Sequence, residues 1–304
     1  MSDKKCGLCP RNCAVDRAQG ERGICGQTDQ LKVARAALHY CEEPCISGEA
    51  GSGAVFFSGC ALHCVFCQNR EIANGTAGKE ISTERLGEIF LELMEQGANN
   101  INLVTPGHFV PQIIPALEWA KARGMNLPVV YNTSSYENVD TIRSLDGLVD
   151  IYLPDFKYMA PALSEKYSHA KDYVKTAKAA LHEMVRQTGT AVFEGDLMKR
   201  GTIVRHLVLP GNTKDSKAVI RYLYETYGDQ IYISILNQFT PIEALFAYPE
   251  LNRKLTEREY DEVVDYAIEL GVENGFIQEG ETAEESFIPA FDCEGVEKKE
   301  GLEV

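Results

Sequence analysis

The sequence contains no uninterrupted apolar run approaching the ~20 residues that a transmembrane helix needs. Its N-terminus, Met-Ser-Asp-Lys-Lys-Cys, lacks the apolar core of a secretory signal peptide. Basic residues are also in short supply, because 30 Lys and Arg stand against 45 Asp and Glu and give a formal net charge of −15. These absences predict a cytoplasmic protein that does not enter membranes, and they argue against nucleic acid as its main partner.

Cysteine, by contrast, is plentiful, with 10 residues in 304. In a reducing compartment, clustered thiols serve as metal ligands more often than they form disulfides. Cys60, Cys64 and Cys67 form a C-x3-C-x2-C loop, with Phe66 just before the last cysteine. Three thiolates this close suit a [4Fe–4S] cluster and leave one of its irons open to a substrate or cofactor. A three-ligand zinc site and structural thiols are the alternatives.

From about residue 53 onward, a pattern of strand, loop and helix repeats. Apolar runs predict six strands, at 53–57, 100–104, 128–131, 148–153, 202–209 and 230–235. Helical spacing predicts helices from an N-cap at Thr83 to Gly97, from about 113 to 124, near 137–145, as one long polar helix over 162–187, and from a Thr256–Glu259 capping box to Leu270. This alternation predicts an α/β fold with a parallel sheet and helices outside it.

Polar side chains follow the predicted strands, which is where the chemistry gathers in barrels of parallel strands. They are Thr105, Pro106, Gly107 and His108 after the second strand, Asn132 and Ser134 after the third, Asp155 and Lys157 after the fourth, and Arg205 on the fifth. Arg205 and His206 alternate along one strand, so only one of them should face the barrel interior. Structural interpretations also exist, namely a Pro-Gly turn, a helix N-cap and a surface ion pair.

The cysteine loop resembles that of the radical S-adenosylmethionine (SAM) superfamily. The likeness extends to its PflX-like branch, named after pyruvate formate-lyase activating enzymes, through Glu42-Glu-Pro-Cys-Ile-Ser-Gly48, Gly51-Ser-Gly53 and Phe56-Phe-Ser-Gly-Cys60. The resemblance implies a partial (β/α)6 barrel with a [4Fe–4S] cluster on the three catalytic cysteines of the loop. It further implies that SAM binds the open iron and is cleaved by one electron to methionine and a 5′-deoxyadenosyl radical.

The resemblance also implies roles for the strand ends. Thr105-Pro106-Gly107 stands where many members have a Gly-Gly-Glu-Pro-like segment, so the Thr105 hydroxyl or backbone carbonyls would accept from the SAM ammonium. Lys157, oriented by Asp155, would hold the SAM carboxylate or ribose, and Arg205 could fork onto a carboxylate. The predicted cofactor-binding residues are Phe66, Thr105, Pro106, Gly107, His108, Asn132, Ser134, Asp155, Lys157 and Arg205.

A second group of thiols, Cys6, Cys9, Cys13 and Cys25, lies among turn-forming glycines. Four thiolates complete the shell of a zinc ion and equally ligate an auxiliary iron–sulfur cluster, so a second metal of either kind is expected. Cys41 and Cys45 are expected to pack, with roles as reserve ligands or redox thiols as the alternatives, and Cys293 carries no motif. The predicted organisation is a Cys-rich N-terminal extension (1–50), a radical SAM barrel (51–280) and an acidic C-terminal tail (281–304).

Three functions are compatible with these features. The favoured one is an activating enzyme that abstracts hydrogen from a glycine of a glycyl-radical enzyme. The second is a radical SAM enzyme that modifies a small molecule or peptide. The third is an iron–sulfur electron carrier, for which the barrel and its polar strand ends are superfluous. The two enzymatic functions need an electron donor such as flavodoxin or ferredoxin.

Overall fold

The computed structural model describes residues 5–278 and 288–298. The strands are β1 (Lys32–His39), β2 (Ser52–Phe57), β3 (Lys79–Glu80), β4 (Ile101–Val104), β5 (Val129–Thr133), β6 (Ile151–Pro154), β7 (Val192–Glu194), β8 (Leu197–Leu207), β9 (Tyr232–Leu236) and β10 (Gly275–Ile277). The α-helices are α1 (Pro44–Ser47), α2 (Arg70–Ala73), α3 (Thr83–Glu95), α4 (Val110–Lys121), α5 (Val139–Arg143), α6 (Pro161–Ser168), α7 (Tyr173–Thr188), α8 (Thr213–Tyr227) and α9 (Glu257–Leu270). Within the described ranges, no helix combines the length and apolar character needed to cross a membrane.

The strands form one sheet in the order β10-β9-β8-β6-β5-β4-β2-β1-β3, with β7 paired to β8. The six predicted strands correspond to β2, β4, β5, β6, β8 and β9, and each pairs in parallel with the next. β10 continues the parallel order, whereas β1 lies antiparallel to β2. The predicted α/β fold, a partial barrel of β/α units, is therefore confirmed, with additional strands at both edges.

The central strands are buried on both faces, which explains their nearly unbroken apolar sequences. On the outer face, Tyr131 and Tyr152 belong to a core shared with the surrounding helices. On the inner face, Val130 and Ile151 pack with Ile46 of α1. The N-terminal segment therefore sends a short helix into the barrel interior, below the ends of the strands that build the site.

One predicted helix is wrong. The polar stretch over 162–187 forms two helices, α6 and α7, rather than one. His169 takes a left-handed backbone conformation (φ 49°) and ends α6 directly after Ser168. Left-handed backbone is rare for a residue with a side chain, so the helix-like spacing of the stretch gives no sign of this break.

Two predicted helix starts have different outcomes. The N-cap of α3 is Ser82, whose side chain accepts a hydrogen bond from the Arg85 amide, and the predicted N-cap Thr83 is the first helical residue. The capping box between Thr256 and Glu259 is confirmed at the start of α9. A reciprocal pair of side-chain contacts is thus a stronger sequence signal than one isolated hydroxyl.

Residues 288–298 lie along β1. The Ala36 amide donates to the Glu294 carbonyl at 2.8 Å, and the Cys293 amide donates to the Ala34 carbonyl at 3.0 Å. Of the predicted acidic tail, 281–287 and 299–304 lie outside the described residues. The described part covers the outer edge of β1 and reaches the mouth of the barrel.

Candidate functional site

The loop that follows β2 carries Cys60, Cys64 and Cys67. The Cys67 amide donates to the Cys64 carbonyl at 3.1 Å and closes a turn between the last two cysteines. The Val65 amide donates to the Tyr167 carbonyl at 2.8 Å, which ties the loop to the end of α6. As a result, all three loop cysteines line one cavity.

Each sulfur of this loop accepts a hydrogen bond. The pairs are the Leu62 amide with Cys60 Sγ at 3.4 Å, the Ser168 hydroxyl with Cys64 Sγ at 3.2 Å, and the Asn69 amide with Cys67 Sγ. Hydrogen bonds of this kind tune the thiolate ligands of iron–sulfur clusters. In the part of the chain that the structure describes, no group of three or more His, Cys, Asp or Glu side chains is arranged to hold a single metal ion. This finding applies equally to the loop and to the four N-terminal cysteines. Three thiolates fit a [4Fe–4S] cluster with one open iron, whereas a structural zinc site takes four protein ligands.

Protonation of these thiols opposes metal binding. Burial raises the pKa of the Cys64 and Cys67 thiols, and that of Cys67 rises to about 12. The neighbouring cysteine sulfurs raise both values further. Since the thiolate is the form that binds metal, loading the loop must release protons.

A cavity of about 270 Å³ lies at the carboxyl ends of the parallel strands. Phe66 lines it beside the cysteines and packs against Tyr167 and Phe239. Successive strand ends contribute Thr105, Asn132, Ser134, Asp155, Lys157 and Arg205. Polar residues that the sequence placed at four strand ends thus share one cavity with the cysteine loop.

Arg205 on β8 is the centre of a hydrogen-bond network in the cavity floor. Its Nε donates to Asp155 Oδ1 at 2.9 Å, its Nη1 to Glu42 Oε2 at 2.9 Å, and its Nη2 to Asn132 Oδ1 at 2.7 Å. Each guanidinium nitrogen therefore has a protein acceptor, so the residue orients the floor through these partners. The next residue, His206, is buried on the other face of the strand, as the alternation predicts.

Lys157 and Asp155 form an ion pair, with Lys157 Nζ 2.7 Å from Asp155 Oδ2. Burial opposes ionisation of Asp155, but Arg205 and Lys157 hold the pKa of its carboxyl below the usual value. Burial likewise opposes the Lys157 cation, but Asp155 and Cys64 raise its pKa above the usual value. An ammonium has three N–H donors and Asp155 accepts one, so Lys157 can also bind an anionic group in the cavity.

Of the four residues after β4, 105–108, the first lines the cavity and the last is buried in the core. Thr105 lines the cavity with a left-handed backbone (φ 57°), a strained state that concentrates at functional sites. Pro106, Gly107 and His108 are not among the described residues that line the cavity. His108 is buried, its Nε2 lies 2.7 Å from the Ser58 carbonyl, and burial lowers its pKa to about 4. His108 therefore supports the start of the cysteine loop from behind, through the backbone of Ser58.

The four N-terminal cysteines lie near one another, and Cys9 and Cys25 are buried. The Ile24 amide donates to Cys13 Sγ at 3.3 Å. The amides two residues after Cys9 and Cys25 donate to those sulfurs. Burial raises the pKa of Cys9 to about 12, so metal binding would have to displace a proton here as well.

Arg11 fastens the N-terminal segment to the cysteine loop. Its guanidinium donates to the carbonyls of Ala61 at 2.8 Å and Leu62 at 3.2 Å. It also donates to the carbonyls of Ser168, at 2.9 Å, and His169 at the end of α6. The Arg11 guanidinium thereby holds together the N-terminal segment, the cysteine loop and the end of α6.

Cys25 lies directly against the start of the same loop. Its carbonyl occupies the place where Gly59 (φ 94°) would carry a side chain. Beside it, the His63 ring Nε2 lies 2.7 Å from the Ile24 carbonyl. The two groups of cysteines are therefore neighbours in the folded chain.

Sequence reasoning missed one wall of the cavity, which is formed by His39, Cys41 and Glu42. The sequence feature that could have indicated this wall is the acidic pair at 42–43, because a carboxylate that becomes buried next to apolar residues needs a polar partner. Cys45 is buried in the inner core, as expected. The packing prediction for Cys41 is wrong, since this residue is exposed and faces the cavity.

Comparison with known proteins identifies both a domain and a fold. Residues 46–159 match the 4Fe-4S single cluster domain family. An uncharacterized protein of Methanocaldococcus jannaschii is 28% identical over 271 residues, which make up 87% of this chain and 74% of that protein. HydG, a maturase of the [FeFe]-hydrogenase, aligns with a TM-score of 0.50 and 15% identity over 72% of this chain and 49% of its own. Streptococcus suis SuiB bound to S-adenosylmethionine aligns with a TM-score of 0.50 and 13% identity over 73% of this chain and 48% of its own.

The chain spans about half the length of HydG and SuiB. At these identities the two structures demonstrate a shared fold. The matched cluster domain contains the cysteine loop and the ends of β4, β5 and β6, which form much of the cavity. The chain therefore matches a 4Fe-4S single cluster domain that includes the cysteine loop, and it shares its fold with HydG and SuiB.

Proposed function

We propose that this chain is a radical SAM enzyme that cleaves SAM reductively and abstracts a hydrogen atom from a substrate. The observation that carries the proposal is that three loop thiols, each with its own hydrogen-bond donor, line the same cavity as Lys157. A bound cluster and SAM would supply the 5′-deoxyadenosyl radical. The chain itself supplies the ligands, orients the cofactor and excludes water from the radical.

Cys60, Cys64 and Cys67 are the proposed cluster ligands. Lys157 is proposed to hold the SAM carboxylate, because its remaining N–H donors lie beside the cysteine loop. Thr105 and Ser134, at neighbouring strand ends, offer hydroxyls and carbonyls to the SAM amino group or ribose. SuiB, which has the same fold, has been crystallised bound to S-adenosylmethionine, and this supports SAM as the ligand of this chain.

The remaining predicted cofactor residues have indirect roles in this proposal. Arg205 positions Asp155 and Asn132 in the cavity floor. Phe66 forms an apolar wall next to the cluster loop. Pro106, Gly107 and His108 support the strained Thr105 backbone. Truncating Arg205, Phe66 or His108 should therefore disturb cofactor geometry before it disturbs the cluster.

Two substrate classes fit this chemistry. An activating enzyme must admit a glycine-bearing loop of a glycyl-radical partner. Abstraction from a small molecule or short peptide is favoured by the lining of the cavity, to which the N-terminal segment adds His39 and Glu42 and the C-terminal segment adds Ile288 and Pro289. A flavodoxin or ferredoxin is the proposed electron donor in both cases.

A second metal centre on Cys6, Cys9, Cys13 and Cys25 is also proposed. Three of these sulfurs accept backbone N–H donors, as Cys60 and Cys67 do in the cluster loop. The contact of Cys25 with Gly59 would bring such a centre next to the first one. Zinc in this position would be structural, whereas an iron–sulfur cluster could also carry electrons.

The central test is SAM cleavage. Anaerobically reconstituted wild-type protein with strong reductant and SAM should release 5′-deoxyadenosine and methionine. Changing Cys60, Cys64 and Cys67 together to Ala should abolish this release and the SAM-responsive [4Fe–4S]⁺ electron-spin signal. Cys293→Ala, outside the cavity, should behave as wild type. Wild-type protein with a full cluster that never cleaves SAM would overturn the enzymatic proposal.

Deuterium tracing distinguishes the two substrate classes. Label that moves from a partner protein's glycine into 5′-deoxyadenosine would identify an activating enzyme. Label that arrives only from a small metabolite or peptide would identify the second class. Because both outcomes follow from the same radical, the assay is informative only after SAM cleavage has been observed.

A further inference from the structure

The hydrogen bond to Cys64 differs in kind from those to the other two loop sulfurs. Cys60 and Cys67 accept from backbone amides two residues further along the chain. Cys64 accepts from the Ser168 side chain, 104 positions away, at 3.2 Å. The hydrogen bond to Cys64 therefore requires a hydroxyl side chain at position 168 and the docking of α6 against the loop. The hydrogen bonds to Cys60 and Cys67 come from backbone amides of the loop and do not depend on a side chain.

Ser168 is held firmly against the sulfur. Its side chain is fully buried, at 0% exposure. The preceding carbonyl, of Tyr167, accepts from the Val65 amide of the loop. The Ser168 carbonyl accepts from Arg11, which also binds the loop. Because the backbone is tied to the loop on both sides of the hydroxyl, the contact with Cys64 is built into the fold.

Tyr158 is a second buried hydroxyl in contact with Ser168. Its hydroxyl lies 2.7 Å from Ser168 Oγ, and both side chains are buried. Each hydroxyl has one proton to donate. If Ser168 donates to a cluster thiolate, Tyr158 must donate to Ser168. The result is a directed chain from Tyr158, the residue after Lys157, through Ser168 to Cys64.

We propose that Ser168 and Tyr158 are positioning residues that set the reduction potential of the cluster held by the loop. This inference rests on the proposed function. A donor at a ligand sulfur stabilises the more negative, reduced cluster, and its effect is larger in a site that water does not reach. The positive charge of Lys157 acts on the same sulfur in the same sense. The chain thus eases reduction of the cluster by its electron donor, the step that precedes SAM cleavage.

The test compares the midpoint potential of the reconstituted cluster in four variants with that of wild type, by mediated redox titration followed by electron-spin resonance. Ser168→Ala should lower the ratio of reduced to oxidised cluster at a fixed potential by roughly threefold to tenfold, and tenfold corresponds to about 59 mV for one electron. Tyr158→Phe should lower the same ratio by a smaller factor, because the Ser168 hydroxyl loses the partner that orients its proton toward Cys64. Ser168→Thr keeps a hydroxyl and should restore most of the wild-type value.

The matched control is Ser164→Ala, a buried serine of the same helix whose hydroxyl donates to the Pro161 carbonyl. Its potential should equal that of wild type, and iron and sulfide content should be unchanged in every variant. An unshifted potential in Ser168→Ala, or an equal shift in Ser164→Ala, overturns the inference. If Ser168→Ala fails to fold, an unshifted Tyr158→Phe overturns it instead. A wild type without a SAM-responsive cluster is a different result, since it overturns the proposed function itself.

Discussion

Arg205 Nη1 lies 2.9 Å from Glu42 Oε2 and joins β8 to the segment that precedes α1. The other carboxylate oxygen of Glu42 accepts from the side-chain amides of Asn102 and Asn132. Through Arg205 the same network includes Asp155 at the end of β6. The cavity floor is therefore a single hydrogen-bonded unit that crosses several parallel strands and the N-terminal segment.

Arg205→Ala should lower the free energy of unfolding by about 3–5 kcal/mol, because it leaves the Glu42 carboxylate without a cation and takes one of two cations from Asp155. Urea denaturation of the cluster-free protein would measure the loss. Arg143→Ala is the control, since it removes an exposed arginine paired with Asp140 and should cost no more than about 1 kcal/mol. Equal losses in the two variants would contradict the role of the floor network.

Lys157→Ala should raise the dissociation constant for SAM by about tenfold to a hundredfold, which corresponds to the loss of one charge-assisted hydrogen bond. Its effect on unfolding should be smaller than that of Arg205→Ala, because Asp155 keeps its contact with Arg205. Titration of the electron-spin signal with SAM gives the affinity. Lys217→Ala, which breaks a pair with Glu262 outside the cavity, should leave it unchanged. Undiminished affinity in Lys157→Ala would remove this lysine from the SAM site.

Arg11→Ala should loosen the cysteine loop, because four carbonyls lose their donor. Hydrogen exchange should become faster at the Val65 amide, which is bonded to Tyr167 in the wild type. Arg22→Ala removes a single long contact to the Gly26 carbonyl and should not change exchange in the loop. An unchanged exchange rate at the Val65 amide in Arg11→Ala would mean that the loop does not depend on the hydrogen bonds of Arg11.

Glu137 is a buried carboxyl behind the site, with Thr133 Oγ1 donating to it at 2.6 Å and Tyr131 Oη at 3.4 Å. Burial raises its pKa to about 7. A raised carboxyl pKa means that the folded state holds the proton more strongly than the unfolded state does. Its contribution is therefore favourable below the usual carboxyl pKa and is lost as the pH rises through about 7.

Glu137→Gln should consequently gain stability relative to wild type as the pH rises from 4.5 to about 7, and the gain should reach about 3 kcal/mol above that range. Urea unfolding across this pH range would measure the difference. Glu165→Gln, on the exposed side of α6, should follow the wild-type curve. A difference between Glu137→Gln and wild type that does not change with pH would rule out burial of an ionisable carboxyl as the cause.

The N-terminal cysteines should retain a metal when the loop cysteines are absent. Metal analysis of the triple Cys60, Cys64 and Cys67 variant should find one zinc per chain or residual iron with sulfide. Replacing Cys9 as well should remove that metal and lower the melting temperature, since a broken ligand set exposes the remaining thiols. A triple variant that contains neither metal would refute the second centre.

The six parallel strands and the polar residues after them could be predicted because both depend on local patterns. A strand buried on both faces has an apolar sequence, and Lys157 follows such a strand directly. Glu42 escaped prediction because its partner Arg205 is 163 positions away. The break at His169 and the hydroxyl of Ser168 also depend on how α6 docks on the loop, which no local pattern encodes.

One wall of the cavity joins distant parts of the chain. Arg35 Nη1 donates to the Ala290 carbonyl, 255 positions away, and Ile288 and Pro289 beside it line the cavity. Contacts between such distant positions require closure of a long loop and form slowly. This wall therefore depends on contacts that only the folded chain makes. The C-terminal segment takes part in the site although it lies farther along the chain than every strand whose end lines the cavity.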